Sequence, residues 1–142
     1  MTVPESALPE LLALERILEL GAPHLEVRVV RPALLASGAS LPIYAIALGN
    51  PGPDVPAVGF FGGVHGLERI GTEVVIAYLQ NVVMRLRWDV TLNRQLEHLR
   101  LVFMPIVNPG GMWRGTRANP NGVDLMRNAP VDAREKVPFL IG

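Results

Sequence analysis

The chain of 142 residues contains no cysteine. Disulfide staples, thiolate zinc ligands and a thiol nucleophile are therefore excluded, and redox usage gives no indication of compartment. It also lacks any excess of charge: Lys+Arg and Asp+Glu both number 13, for a net charge of zero. A broad nucleic-acid surface needs a basic excess, so nucleic acid is not an expected partner. No segment approaches the ~20 apolar residues of a membrane-spanning helix. The first 21 residues carry Glu5, Glu10, Glu15 and Glu19 with no basic start, and do not read as a signal peptide. The expectation is a cytoplasmic protein with no membrane partner. There is no internal repeat and no low-complexity tract. Histidine is scarce as well, with His24, His65 and His98 the whole supply.

What is present is apolar and well punctuated. Hydrophobic residues make up 49% of the chain, with 14 glycines and 13 prolines between them. That composition predicts one globular domain over residues 1–142, divided into short elements by ordered turns. Residues 4–20 read as an amphipathic helix, with Ser6 as its cap and Gly21 and Pro23 as its stop. Residues 25–30 and 41–48 read as strands, Pro42 marking a strand end or sheet edge. Residues 56–61 form the most apolar run, expected to be a strand buried on both faces. A long helix is expected over residues 68–87, a shorter one over 91–98, and a fourth strand over 99–107. Residues 108–130 are expected to form a long loop rich in Gly, Pro and Arg. The alternation points to an α/β fold with helices packed on the faces of a sheet. Sites in such sheets form where loops leave the carboxyl ends of strands, which is where residues 62–68 and 108–128 fall.

His65 and Glu68 lie three positions apart at a strand-to-helix turn. An imidazole and a carboxylate are both good zinc ligands, and a His2Glu set with an open fourth position is a catalytic zinc arrangement. Alone, so short a pattern is better explained by a loop histidine and a helix-start carboxylate favoured by the helix dipole. Arg114, Arg117 and Arg127 sit in the glycine-rich loop, where no predicted helix face accounts for them. Guanidinium groups clamp carboxylates and stabilise developing oxyanions, so as a group they suggest an anionic, carboxylate-bearing substrate. His24 and His98 read as surface residues.

His65-Gly66-Leu67-Glu68, Asn108-Pro109-Gly110-Gly111, Trp113-Arg114-Gly115-Thr116-Arg117 and Gly122-Val123-Asp124-Leu125-Met126-Arg127-Asn128, in that order, resemble the zinc carboxypeptidases. The four pieces span nearly half the chain. The resemblance implies a mixed sheet flanked by helices and one zinc ion in the complete enzyme, with His65 and Glu68 as two of its ligands. It implies Arg114 as the group that polarises the scissile carbonyl, with Arg117 structural. Arg127, with Asn128 beside it, would hold the substrate's terminal carboxylate. Asp124 would accept a hydrogen bond from the far nitrogen of His65 and fix its tautomer. The expected reaction is hydrolysis of a peptide or amide bond by a zinc-activated water.

Two features depart from that pattern. The position before Arg127 holds Met126 where the family has an asparagine that shares the carboxylate, and a thioether donates no hydrogen bond. No histidine follows Asn128, so the third zinc ligand and the glutamate base lack counterparts. The apolar run Pro138 to Gly142 stops without a natural ending. The expectation is therefore the amino-terminal portion of a larger catalytic domain, itself inactive and binding zinc weakly or not at all. An incomplete sheet would self-associate through its apolar face. Two other readings remain open. One is a deacylase of the aspartoacylase or succinylglutamate desuccinylase type acting on N-acyl amino acids. The other is a non-catalytic domain that kept the scaffold and lost the metal.

Overall fold

A computed structural model describes residues 8–131. Helix α1 (Pro9–Gly21) leads into the hairpin β1 (Glu26–Leu34) and β2 (Ser40–Gly49). Then come β3 (Ala57–Phe61), α2 (Arg69–Arg85), α3 (Val90–Leu96), β4 (Arg100–Met104) and a short α4 (Pro109–Arg114). The four strands form one mixed sheet in the order β1-β2-β4-β3. β1 with β2 and β2 with β4 are antiparallel, while β3 and β4 are parallel neighbours joined through α2 and α3. The expected α/β class with a mixed sheet and helices is what the chain adopts. Among the described residues no helix is long and apolar enough to cross a membrane.

One face of the sheet carries the core. Ile46 and Leu48 of β2 and Leu101 and Phe103 of β4 are buried at alternate positions, as a pleated strand with one covered face requires. Leu11, Leu14 and Ile17 of α1 and Val75, Leu79, Val82 and Val83 of α2 pack with them, each set at helical spacing. The rings of Phe60, Tyr78 and Phe103 meet at centroid distances of 4.8–5.8 Å, fastening α2 to the parallel pair. Pro9 opens α1 at a position where a missing N–H costs nothing. The expected helix start at Pro4 and cap at Ser6 lie outside the described residues, as does the apolar run Pro138 to Gly142. Pro42 falls where the hairpin runs past β4, because β2 pairs with β4 only over Ile46–Gly49. Its missing donor therefore leaves no gap in that ladder.

Three expectations change. Among the described residues β3 is not buried on both faces: it lies at the end of the strand order, with Val58 and Phe61 exposed. An apolar run is written the same way whether its neighbour is present or not, and among the described residues β4 alone pairs with β3. Next, Ile70, Val74 and Tyr78, assigned to the packed face of the long helix, are exposed. α2 is apolar over more of its circumference than α1 and the sheet cover. Lastly, the long loop begins with a helix, α4. Gly110 and Gly111 are poor helix formers, but Asn108 caps the turn by accepting from the Gly111 N–H at 2.9 Å, and Pro109 occupies the first helical position.

Candidate functional site

β3 and β4 end side by side, and the chain leaving each is stitched to the other. The Val107 and Asn108 N–H groups donate to the carbonyls of Gly62 and Gly63 at 2.9 Å, and the Asn108 side-chain amide donates to the Val64 and Arg117 carbonyls. Asn108 is only 3% exposed, so its hydrogen bonds are made away from water. Beyond this seam Gly66 lies flat against α4. A Cβ at Gly66 would stand 2.0 Å from the Gly111 carbonyl carbon and 2.2 Å from the Met112 nitrogen, so only glycine permits the approach. The turn carrying His65 and the segment carrying the arginines are thus held as one unit at the carboxyl ends of parallel strands. A second tie comes from Arg69, whose guanidinium forms an ion pair with Glu10 of α1 and donates to the Met112 carbonyl of α4.

His65 and Glu68 face each other, with Nδ1 3.0 Å from Oε1. Two donors bound at 2.0–2.1 Å to one tetrahedral zinc lie about 3.3 Å apart, so the pair has the chemistry and the separation of two such ligands. The other ring nitrogen, Nε2, is buried and has no hydrogen-bond partner. The Asp124 carboxylate is the group beside it, at 3.7 Å, beyond hydrogen-bond reach. An unpaired nitrogen next to a carboxylate suits a ring whose Nδ1 is spent on a metal and whose Nε2–H is offered to Asp124. The fit covers two donors only. Among the described residues no cluster of three or more His, Cys, Asp or Glu could hold a metal.

Asp124 is the anchor of the arginines. Its Oδ2 accepts from Arg117 Nε at 2.7 Å and lies 3.4 Å from Arg127 Nε, and its Oδ1 accepts from the Met126 N–H. The Arg117 hydrogen bond is the main reason the Asp124 carboxyl is held below the usual carboxylate range, against the opposing effect of burial. Arg117 also reaches Glu68, its Nη1 3.5 Å from Oε1. Arg114 stands elsewhere. Its Nη1 donates to the Pro120 carbonyl at 2.9 Å on the exposed side of the loop.

The structure thus brings His65, Glu68, Asp124, Arg117 and Arg127 together through direct contacts, with Arg117 tied to Asp124 and Glu68 as a structural arginine would be. Gly115 ends α4 in the left-handed conformation, φ 62°, and turns the chain between Arg114 and Arg117. Asn128 donates its side-chain amide to the Asp124 carbonyl at 2.9 Å, closing its own turn. Met126 is 63% exposed beside Arg127. His24 and His98 are exposed and distant in the fold, in the turn after α1 and the turn after α3.

Comparison with known proteins gives a consistent picture. The zinc carboxypeptidase family model matches residues 36–137. Carboxypeptidase SOL1 of Arabidopsis thaliana is 33% identical over 75 residues, 53% of this chain and 15% of that protein. Carboxypeptidase D of Anas platyrhynchos is 29% identical over 82 residues, 51% of this chain and 6% of that protein. Among solved structures, a metallo-carboxypeptidase from Burkholderia cenocepacia superposes on 84% of this chain with a TM-score of 0.64 and 23% identity, over 32% of its own length. A metallo-carboxypeptidase from Pseudomonas aeruginosa covers 80% of this chain with a TM-score of 0.53 and 22% identity, over 29% of its own length. The chain thus spans about a third of these solved structures and a smaller share of the curated relatives.

Proposed function

The chain belongs to the zinc carboxypeptidase family, and from that premise we propose that it supplies the His65–Glu68 half of a zinc-dependent hydrolase site cleaving a peptide or amide bond next to a substrate carboxylate. The observation that carries the reading is the convergence of His65 Nδ1 and Glu68 Oε1 at 3.0 Å with Arg117 beside them. Zinc, when bound, supplies Lewis acidity and an activated water. The chain's own residues do the rest. Glu68 and His65 present their donors from the seam between β3 and β4. Asp124 faces Nε2 and selects the ring tautomer that leaves Nδ1 free to ligate. Arg117, held on Asp124, braces Glu68, and Arg114, on the exposed side of the same loop, is the guanidinium proposed to polarise the scissile carbonyl. Arg127 is half exposed and offers a guanidinium to a substrate carboxylate. Met126 adds no hydrogen bond there, so that contact rests on Arg127 without the amide partner the family pattern contains.

Nitrogen-resolved NMR of the imidazoles during zinc titration tests the reading. Zinc is expected to move the His65 Nδ1 resonance and leave those of His24 and His98 in place. Glu68→Gln is expected to weaken the effect several-fold. With two protein donors, the affinity is expected to be weak. A titration in which His65 does not respond, or responds no more than His24, would remove the basis of the proposal. A tight one-to-one complex would show that a third donor is supplied from outside residues 8–131 or by another copy.

A further inference from the structure

We infer that Glu10 of α1 is a positioning residue for Glu68, a role that rests on the half-site reading above: through Arg69 it fixes the turn that presents the Glu68 carboxylate. Glu68 has little to hold it directly. It is the residue before α2, at φ −95° and ψ 76°, and its side chain caps nothing. Its carboxylate is half exposed and meets His65 at 3.0 Å and Arg117 at 3.5 Å. Where the carboxylate stands is therefore decided by the backbone on either side of it. Both sides are tied to α4 at Met112. Before Glu68, Gly66 lies against the Gly111 carbonyl and the Met112 nitrogen. After it, Arg69 Nη2 donates to the Met112 carbonyl at 3.2 Å. Leu67 and Glu68 are held between these two contacts.

Glu10 makes the second contact specific. A long cationic side chain loses rotamer freedom when it is held in one geometry, so Arg69 needs a partner that selects that geometry. Glu10 Oε1 takes Arg69 Nη1 as an ion pair, and the planar fork then aims Nη2 at the Met112 carbonyl. The Glu10 side chain is only 11% exposed, in the first turn of a helix whose Leu11 and Leu14 belong to the core. Its other oxygen, Oε2, is buried without a hydrogen-bond partner among the described residues. A buried carboxylate with one oxygen unsatisfied costs stability, and an apolar side chain would fill such a position at less cost. The charge is not needed to dock α1, because Leu11, Leu14 and Ile17 already share the core with α2. What the charge adds is direction: it orients the side chain that links α1, α2 and α4. A contact spanning 59 residues of sequence thus ends one residue from a zinc donor.

The test starts with the metal-free protein, where the His65 Nδ1 resonance reports the hydrogen bond to Glu68. Glu68→Gln supplies the reference displacement of that resonance. Glu10→Gln keeps the side chain's shape and removes its charge, and is expected to move the resonance in the same direction. Added to Glu68→Gln it is expected to move it no further, because the route runs through Glu68. Glu26→Gln weakens an ion pair of the same kind, with Arg100 at the opposite end of β4, and is expected to leave His65 unchanged. In zinc titrations Glu10→Gln is expected to bind about tenfold more weakly, the lower end for a group behind a ligand, and to cost nothing more in the Glu68→Gln background. If Glu10→Gln fails to fold, Arg69→Lys decides. A lysine still pairs with Glu10 but lacks the fork that also reaches Met112, so the same displacement is expected. An unmoved His65 resonance overturns the inference. So does a displacement that adds in full to that of Glu68→Gln, or one that Glu26→Gln reproduces, since either marks a general loosening of the fold. A His65 that ignores zinc in every variant removes the half-site reading instead, and the metal-free displacements still decide the role of Glu10.

Discussion

Replacing Gly66 with alanine inserts one methyl group where the ligand-bearing turn rests on α4. The new Cβ would lie 2.0–2.4 Å from the Gly111 carbonyl group and the Met112 nitrogen. These are backbone atoms of a capped helix, so no rotamer change relieves the overlap; the turn and the helix must separate. Overpacking in a filled interior costs about 1–3 kcal/mol, and this site belongs at the upper end because the neighbour cannot yield. At ~3 °C per kcal/mol for a chain of this size, the melting temperature is expected to fall by about 10 °C. Gly71→Ala is the matched control. It lies inside α2, a Cβ there meets nothing within 4 Å, and alanine relieves the entropic cost of a helical glycine. That variant is expected to be stabilised by about 0.5–1 kcal/mol. Urea denaturation of the three proteins measures both effects with opposite signs. A Gly66→Ala protein within ~1 kcal/mol of the parent would refute the close approach and, with it, the account of how His65 is held against the arginine segment.

Asn108→Ala removes the buried side chain that holds the seam together and strands the Gly111 N–H and the Val64 carbonyl. A loss of about 2–3 kcal/mol in denaturant melts is expected, and a loss below half of that would show the stitch to be unimportant. Tyr44 donates to Glu15 of α1 at 2.9 Å. Burial, with Glu15 adding, pushes its pKa up from 10.0 to about 12. The neutral phenol is the form the fold prefers, so its contribution is whole below pH 10 and disappears as pH rises toward 12. In an absorbance titration, Tyr44→Phe is expected to delete the step near 12, and deletion of one near 10 would contradict the contact. Asp89 accepts from the Leu92 N–H at the start of α3 and from Arg85. The cap bond, followed by the Arg85 hydrogen bond, holds its carboxyl below its ordinary 3.8. Its contribution is therefore present at neutral pH and lost as pH falls through that depressed value. The stability gap between the parent and Asp89→Ala is expected to narrow in acid, as urea melts at pH 7 and pH 3 would show.

Much of this architecture was legible in the sequence, because the strands are apolar runs bounded by Gly and Pro and the long helices carry apolar residues at helical spacing. Glu68 and His65 were readable as a pair because three residues at a turn leave little freedom. Asp124 was placed beside the far nitrogen of His65, and the fold puts it there, though at 3.7 Å and not in hydrogen-bond contact. What could not be read depended on partners distant in sequence. The apolar run of β3 does not announce that β4 is its only neighbour among the described residues. The exposed stripe of α2 resembles a packed one until the sheet beneath it is counted.

The seam between the two strand ends has a dynamic consequence. Gly62 and Gly63 accept from amides some 45 residues further along the chain, so the ligand-bearing turn has no local hinge of its own at that point. To swing His65 away, β3 must part from β4, and the Phe60–Phe103 stack must part with it. The Val107 and Asn108 amide protons should therefore exchange with solvent only through an opening that also disrupts the sheet. Two backbone amides then report on the integrity of the whole half-site.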